Sequence, residues 1–165
     1  MSIEQANFRE VLSQLATGVS ILTVKYGSLC HGITVNSFCS LSLEPPLILV
    51  CIREDSFCLN LIEKGRTFGI NILDETGEDL SRQFASRTAS KFTNVSYRLS
   101  REDIPILNTA LATIECRLVN RYPGGDHSII VGEVLNAEVD HYSQPLVYFR
   151  RGYTRLSAEL LNFVG

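Results

Sequence analysis

Two long runs rich in β-branched and apolar residues, LATIECRLVNRY at 111–122 and HSIIVGEVLNAEVD at 127–140, are separated only by PGGD. Proline, two glycines and an aspartate are strong turn chemistry, so the pair reads as a long hairpin with Asp126 and His127 at the mouth of its returning strand. A hairpin of that length commits the chain to an antiparallel sheet that must protect its edges. VSILTV at 19–24, TFGINIL at 67–73 and the start of PLVYFRRGYTRL at 145–156 supply further strand-like segments. Roughly six or more strands with few helices imply a mainly β, closed or nearly closed antiparallel barrel. With 165 residues, 45% of them hydrophobic, one domain spanning 1–165 has enough apolar surface for its own core.

The helices are few. Ile3, Phe8, Val11, Leu12 and Leu15 recur at helical spacing, which predicts a packing helix over 4–16 ended by Thr17 and Gly18. KYGSLCHG reads as a turn, 75–90 as a polar helical segment, and SYRLSREDIPILNTA as a loop-rich connection. A net charge of −3 gives no electrostatic reason to expect nucleic acid or an anionic membrane as the main partner. The start MSIEQANFRE lacks the regions of a signal peptide and the longest apolar run is far short of a bilayer span, so the expected location is the cytoplasm. The five cysteines are odd in number and show no CxxC spacing, and the three histidines, at 31, 127 and 141, have no close metal-ligand partner in sequence. Neither a disulfide framework nor a metal site is expected. Cys51 and Cys58 are read as core thiols rather than redox groups.

The stretch HGITVNSFCSLSLEPPLILVCIREDSFC, 31–58, is the candidate centre. It reads as two strands joined by a turn at Pro45 and Pro46, with Thr34, Asn36, Ser37, Ser40 and Ser42 interleaved and Glu44 the only charge between Ile33 and Val50. Uncharged donors on an apolar β platform suit a flat heteroaromatic ligand. They equally suit a buried strand pair whose hydroxyls bond their neighbours. Beyond Arg53, Asp55 or Ser56 caps a short helix ending at Gly65, and the first turn of a helix is a favourable place for a phosphate. Arg82, Arg87 and Lys91 gather around Phe84. One or two of them can reach an anionic tail; the rest are solvated.

Several chemistries find no motif. There is no GxGxxG, GxxxxGK[ST] or GxSxG, and the adjacent Asp126, His127 and Ser128 alternate faces along a strand and cannot form a triad among themselves. The absence of these motifs does not exclude nicotinamide binding by other means.

Taken in order, FREVLSQLATGVSILT, HGITVNSFCSLSLEPPLILVCI, FGINIL, QFAS and KF, GGDHSIIVGEV and PLVYFRRGY resemble the flavin reductase-like, FMN-binding split-barrel family over nearly the whole chain. Members are small NAD(P)H:flavin oxidoreductases that serve two-component monooxygenases. The resemblance implies a split β-barrel, FMN or FAD and NADH or NADPH as cofactors, a homodimer, and an oxygenase partner reached by diffusing reduced flavin. It implies that the backbone from Thr34 through Val35 to Ser37 and the side chains of Thr34, Asn36 and Ser37 meet the isoalloxazine and ribityl chain, that Ser40 belongs to the same wall, and that backbone groups of Cys51 and Ile52 lie beside the ring. Ser56, Arg87 and Lys91 match the phosphate corner, Phe84 lines the pocket, His127 lies near the nicotinamide, and Tyr153 covers the ring. Arg150 and Arg151 can hold the extra phosphate of NADPH or be surface charge. An FMN-binding electron-transfer protein that keeps its flavin as a prosthetic group is the alternative. The GGDH turn and the TVNSF run point away from a pyridoxal phosphate or haem relative.

Overall fold

A computed structural model describes residues 4–88, 90–140 and 143–157. Ile3 and His141 lie outside them. The 127–140 run forms β10 (His127–Val139), paired antiparallel with β9 (Ala110–Gly124), and the turn falls at Gly125 and Asp126 with Gly125 at φ 76°. That left-handed backbone is cheap for glycine, which is why the GGD sequence turns here. Around this hairpin stand β2 (Ser20–Tyr26), β3 (Leu29–Val35), β4 (Phe38–Leu43), β5 (Pro46–Arg53) and β6 (Thr67–Leu73). They form one seven-stranded antiparallel sheet in the order β3-β2-β6-β9-β10-β5-β4.

The sheet's two edge strands, β3 and β4, are consecutive in the chain and joined by Asn36 and Ser37. Ser37 continues the β4–β5 ladder by one residue: its carbonyl accepts from Cys51 N at 3.0 Å and its hydroxyl donates to Cys51 O at 2.9 Å. The β4 side of the break is thereby fixed to β5. The 31–58 stretch is therefore parts of three strands, not two, because the chain leaves the ladder at Asn36 and re-enters one strand further round. Along β5 the side chains of Ile48, Val50 and Ile52 point into the barrel while Leu47, Leu49 and Cys51 stay half-exposed.

Inside the barrel lie Leu22, Val50, Ile52, Phe68, Ile70, Cys116 and Ile130, closed at one end by Cys58, Leu59, Leu61 and Ile62 of α2 (Phe57–Gly65). Each of the aliphatic and phenyl side chains among them contributes roughly 1.5–3 kcal/mol on burial. A second cluster holds Val19, Ile21, Leu73, Leu107, Leu146 and Phe84, the last from α3 (Glu78–Ala85). Helix α3 is shorter than the polar segment implied. The loop-rich connection contains a small hairpin, β7 (Tyr97–Leu99) with β8 (Pro105–Leu107). It is pinned over the barrel by buried polar groups, Asn71 Oδ1 accepting from Leu107 N at 2.8 Å and Thr23 donating to Pro105 O at 2.6 Å.

The chain start departs most from expectation. Helix α1 spans Gln5–Ser13, and Thr17–Gly18 form a strand, β1, paired with β11 (Val147–Phe149), instead of a helix stop. Among the described residues nothing buries the helix, and Phe8, Val11 and Leu12, with Leu15 just beyond its end, are 50–63% exposed. It is held by the β11–β12 turn (β12, Gly152–Thr154), where Arg150 donates to Gln14 and Arg151 pairs with Glu10.

Candidate active site

At the break between β3 and β4 the barrel opens into a cleft of about 370 Å³. Thr34, Val35, Asn36 and Ser37 form one wall, Cys51, Ile52, Arg53, Asp55 and Ser56 another, Phe84 and Lys91 a third, and His127 the rim. Its form follows from local rules. Gly32 is required under the third wall: a Cβ there would stand 2.7 Å from Phe84 Cε1 and 2.8 Å from Leu22 O, so only glycine lets the ring of Phe84 lie on β3.

One end is electropositive. Ser56 is the N-cap of α2, yet its hydroxyl caps nothing, so the first turn keeps backbone N–H groups without an intrahelical acceptor. Lys91 is only 7% exposed and has no ion-pair partner among the described residues; its Nζ donates to Phe84 O at 2.8 Å. Gln83 holds the segment in place, donating to Lys91 O at 2.8 Å. Burial lowers the Lys91 pKa, and burial followed by the field of Lys91 lowers that of His31. The neighbouring Cys58 thiol is pushed up to about 12 by burial, which removes it from thiolate chemistry at neutral pH.

The other end is finely hydrogen-bonded. His127 sits opposite Arg53 on β5, with Nδ1 2.7 Å from Asp126 Oδ1, which leaves Nε2 for the cleft. Hydrogen bonding to His127 lowers the Asp126 pKa. Arg53 grips Asp55 with two parallel bonds of 2.9 and 2.8 Å, lowering the pKa of Asp55. A second cleft of about 250 Å³ adjoins the first, sharing Thr34, Val35, Asn36 and Ala85 and adding Val19, Tyr148 and Tyr153. The Tyr153 hydroxyl meets Ser81 Oγ at 2.8 Å, and the Tyr148 and Tyr153 rings meet edge to face at 5.4 Å.

The structure thus brings together Thr34, Val35, Asn36, Ser37, Cys51, Ile52, Ser56, Phe84, Lys91 and His127 around one cleft, with Tyr153 next door. Some details differ from the sequence reading. Ser40 lines neither cleft, because β4 has by then run on past the opening. Arg87 is exposed and contributes only its field at Asp55. Thr34 spends its hydroxyl proton on Ser81 O at 2.6 Å, and Cys51 spends its backbone groups on Ser37. The side chains of Val35 and Ile52 turn into the core, leaving their backbone to the cleft. Arg150 and Arg151 line neither cleft; they hold α1. Arg53 and Ile33 also line the first cleft, and an Arg-x-Asp spacing at a strand end was the available signal for Arg53. Among the described residues no cluster of His, Cys, Asp or Glu could hold a metal ion, and no helix is long and apolar enough to cross a membrane.

Comparison with known proteins gives one consistent relation. The model of the family described as Flavin reductase like domain matches residues 12–157. The reductase component of 4-hydroxyphenylacetate 3-monooxygenase from Thermus thermophilus is 38% identical, over 90% of this chain and 95% of its own. The actinorhodin polyketide dimerase of Streptomyces coelicolor is 33% identical, over 94% and 89%. A solved NADH:FAD oxidoreductase of Streptomyces globisporus, in complex with NAD and FAD fragments, superposes with a TM-score of 0.90 at 32% identity, covering 94% of each chain. A barrel split at Asn36–Ser37, and a cleft at that split, are thus found in a chain that belongs to the flavin reductase like domain family.

Proposed function

We propose that this chain, acting as a single domain, is an NAD(P)H-dependent flavin reductase that supplies reduced flavin to a separate monooxygenase. The observation that carries the reading is the polarity of the cleft. An uncapped helix start and a buried, unpaired Lys91 stand at one end, with neutral donors and a histidine at the other. These residues fit a flavin nucleotide, phosphate at Lys91 and Ser56 and ring beside Thr34–Ser37. When the two cofactors are bound, reduced nicotinamide supplies a hydride from C4 and flavin accepts it at N5. The residues' work is to align the rings and keep water out. Lys91 and the α2 N-terminus anchor the phosphate, Asn36 and the backbone from Val35 to Ser37 orient the ring, and Asp126 fixes His127 so that Nε2 can orient the nicotinamide amide. Tyr153 closes the adjoining side. No arginine of the β11–β12 turn reaches either cleft, which favours NADH over NADPH.

The apolar face of α1 and Leu15 just beyond it, which no described residue buries, support a homodimer in which a second copy covers Phe8, Val11, Leu12 and Leu15. Five free cysteines agree with a cytoplasmic setting. Two variants test the cleft. Lys91→Met weakens FMN by about tenfold to a hundredfold and riboflavin, which lacks the phosphate, far less, as read by flavin fluorescence. His127→Ala slows single-turnover flavin reduction by NADH about tenfold or more while flavin binding holds. Equal losses of FMN and riboflavin in the first, or unchanged reduction in the second, contradict the assignment.

A further inference from the structure

Behind the cleft, on the barrel end closed by α2, one side chain joins both of the cleft's flanks. Arg121, on β9, donates through Nε to Ser128 Oγ at 2.6 Å and ion-pairs through its two remaining nitrogens with Glu54 and Glu63. Ser128 is fully buried and donates in turn to Glu54 Oε1 at 2.6 Å, so serine, glutamate and arginine close a ring of three bonds. The partners come from three elements. Glu54 lies between β5 and α2, flanked by the cleft residues Arg53, Asp55 and Ser56; Ser128 follows His127 on β10; Glu63 sits in the last turn of α2. A backbone bond from Glu54 N to Asp126 O at 3.0 Å ties the same loop to the same hairpin. None of Arg121, Glu54, Glu63 or Ser128 lines either cleft.

We propose that Arg121 and Glu54 are positioning residues of the reductase: their clamp sets the spacing between the phosphate corner at Ser56 and the nicotinamide-facing His127. The inference rests on the reading of the cleft given above. A guanidinium suits the task because its planar fork bonds several acceptors in fixed directions, which a lysine does not. Two of its arms end on residues adjoining the cleft, whereas the third, to Glu63, reaches only the far end of α2. A clamp of this kind acts through distance, since small displacements of positioned groups cost rate and selectivity steeply.

That asymmetry supplies the test. Glu54→Ala and Glu63→Ala each remove one carboxylate from the same guanidinium, and both lower the melting temperature. Assayed well below melting, Glu54→Ala reduces the preference for FMN over riboflavin about tenfold and lowers kcat with NADH, while Glu63→Ala leaves the preference within about twofold of wild type. Arg121→Lys, retaining the charge without the fork, falls between wild type and Glu54→Ala. An unchanged preference in Glu54→Ala, or equal shifts in both variants, overturns the clamp alone. A wild-type protein that binds no flavin overturns the reading of the cleft and the clamp with it.

Discussion

Lys91 and His31 show what the site costs. A lysine that is buried as a residue, its ammonium meeting one carbonyl, is retained against the desolvation that lowers its pKa, and its field helps keep the half-buried His31 neutral. The pH dependence follows from the sign of the His31 shift. Its folded pKa lies below the ordinary 6.5, so as pH falls through that value the unfolded chain takes up a proton that the folded chain refuses, and stability declines until the folded pKa is reached. Asp55 and Asp126 are shifted down from 3.8, so their contributions are complete above that value and are lost only as pH falls further. The melting temperature of the unliganded protein should therefore drop between about pH 7 and pH 5, and His31→Gln should flatten that limb without touching the more acidic one. Identical limbs in both proteins would show that His31 does not titrate with folding.

At the level of elements, legibility tracked how local the determinants are. The long hairpin and TFGINIL carry their own turn residues and alternation, and α2 begins at its Ser-Phe junction and ends at Gly65 as read. The break between β3 and β4 is illegible in sequence because Asn36–Ser37 contains no glycine or proline; it is defined by different partners, β3 pairing with β2 and β4 with β5. The β7–β8 hairpin was hidden for a similar reason, its strands being fixed by Thr23 and Asn71. In the site, residue type picked out Lys91 and Arg87 together, and only the fold of the segment after α3 separates the buried one from the exposed one. Gly32 gives this scale its test. Gly32→Ala places a methyl against Phe84 and the Leu22 carbonyl, and should destabilise the fold by about 1–3 kcal/mol in denaturant titrations and weaken flavin binding through the displaced ring. A neutral effect on both would mean that α3 moves away freely.

The whole molecule joins a barrel to a cleft where the sheet's two edge strands, β3 and β4, part company, so the chemistry of two diffusible nucleotides is met by a wall that Ser37 and Cys51 hold to β5. Helix α1 buries none of its residues against the described part of the chain, which is the ground of the proposed dimer, and sedimentation equilibrium should give twice the chain mass; a single chain mass at micromolar concentration would contradict the dimer. The central claim is tested most directly by following NADH and NADPH oxidation by absorbance, using dialysed protein with no flavin, riboflavin, FMN or FAD added. A flavin reductase oxidises NADH only when flavin is supplied and saturates as the flavin concentration rises. A preparation that stays yellow through dialysis and oxidises neither nucleotide would contradict this account and assign the cleft to a tightly held prosthetic flavin serving electron transfer.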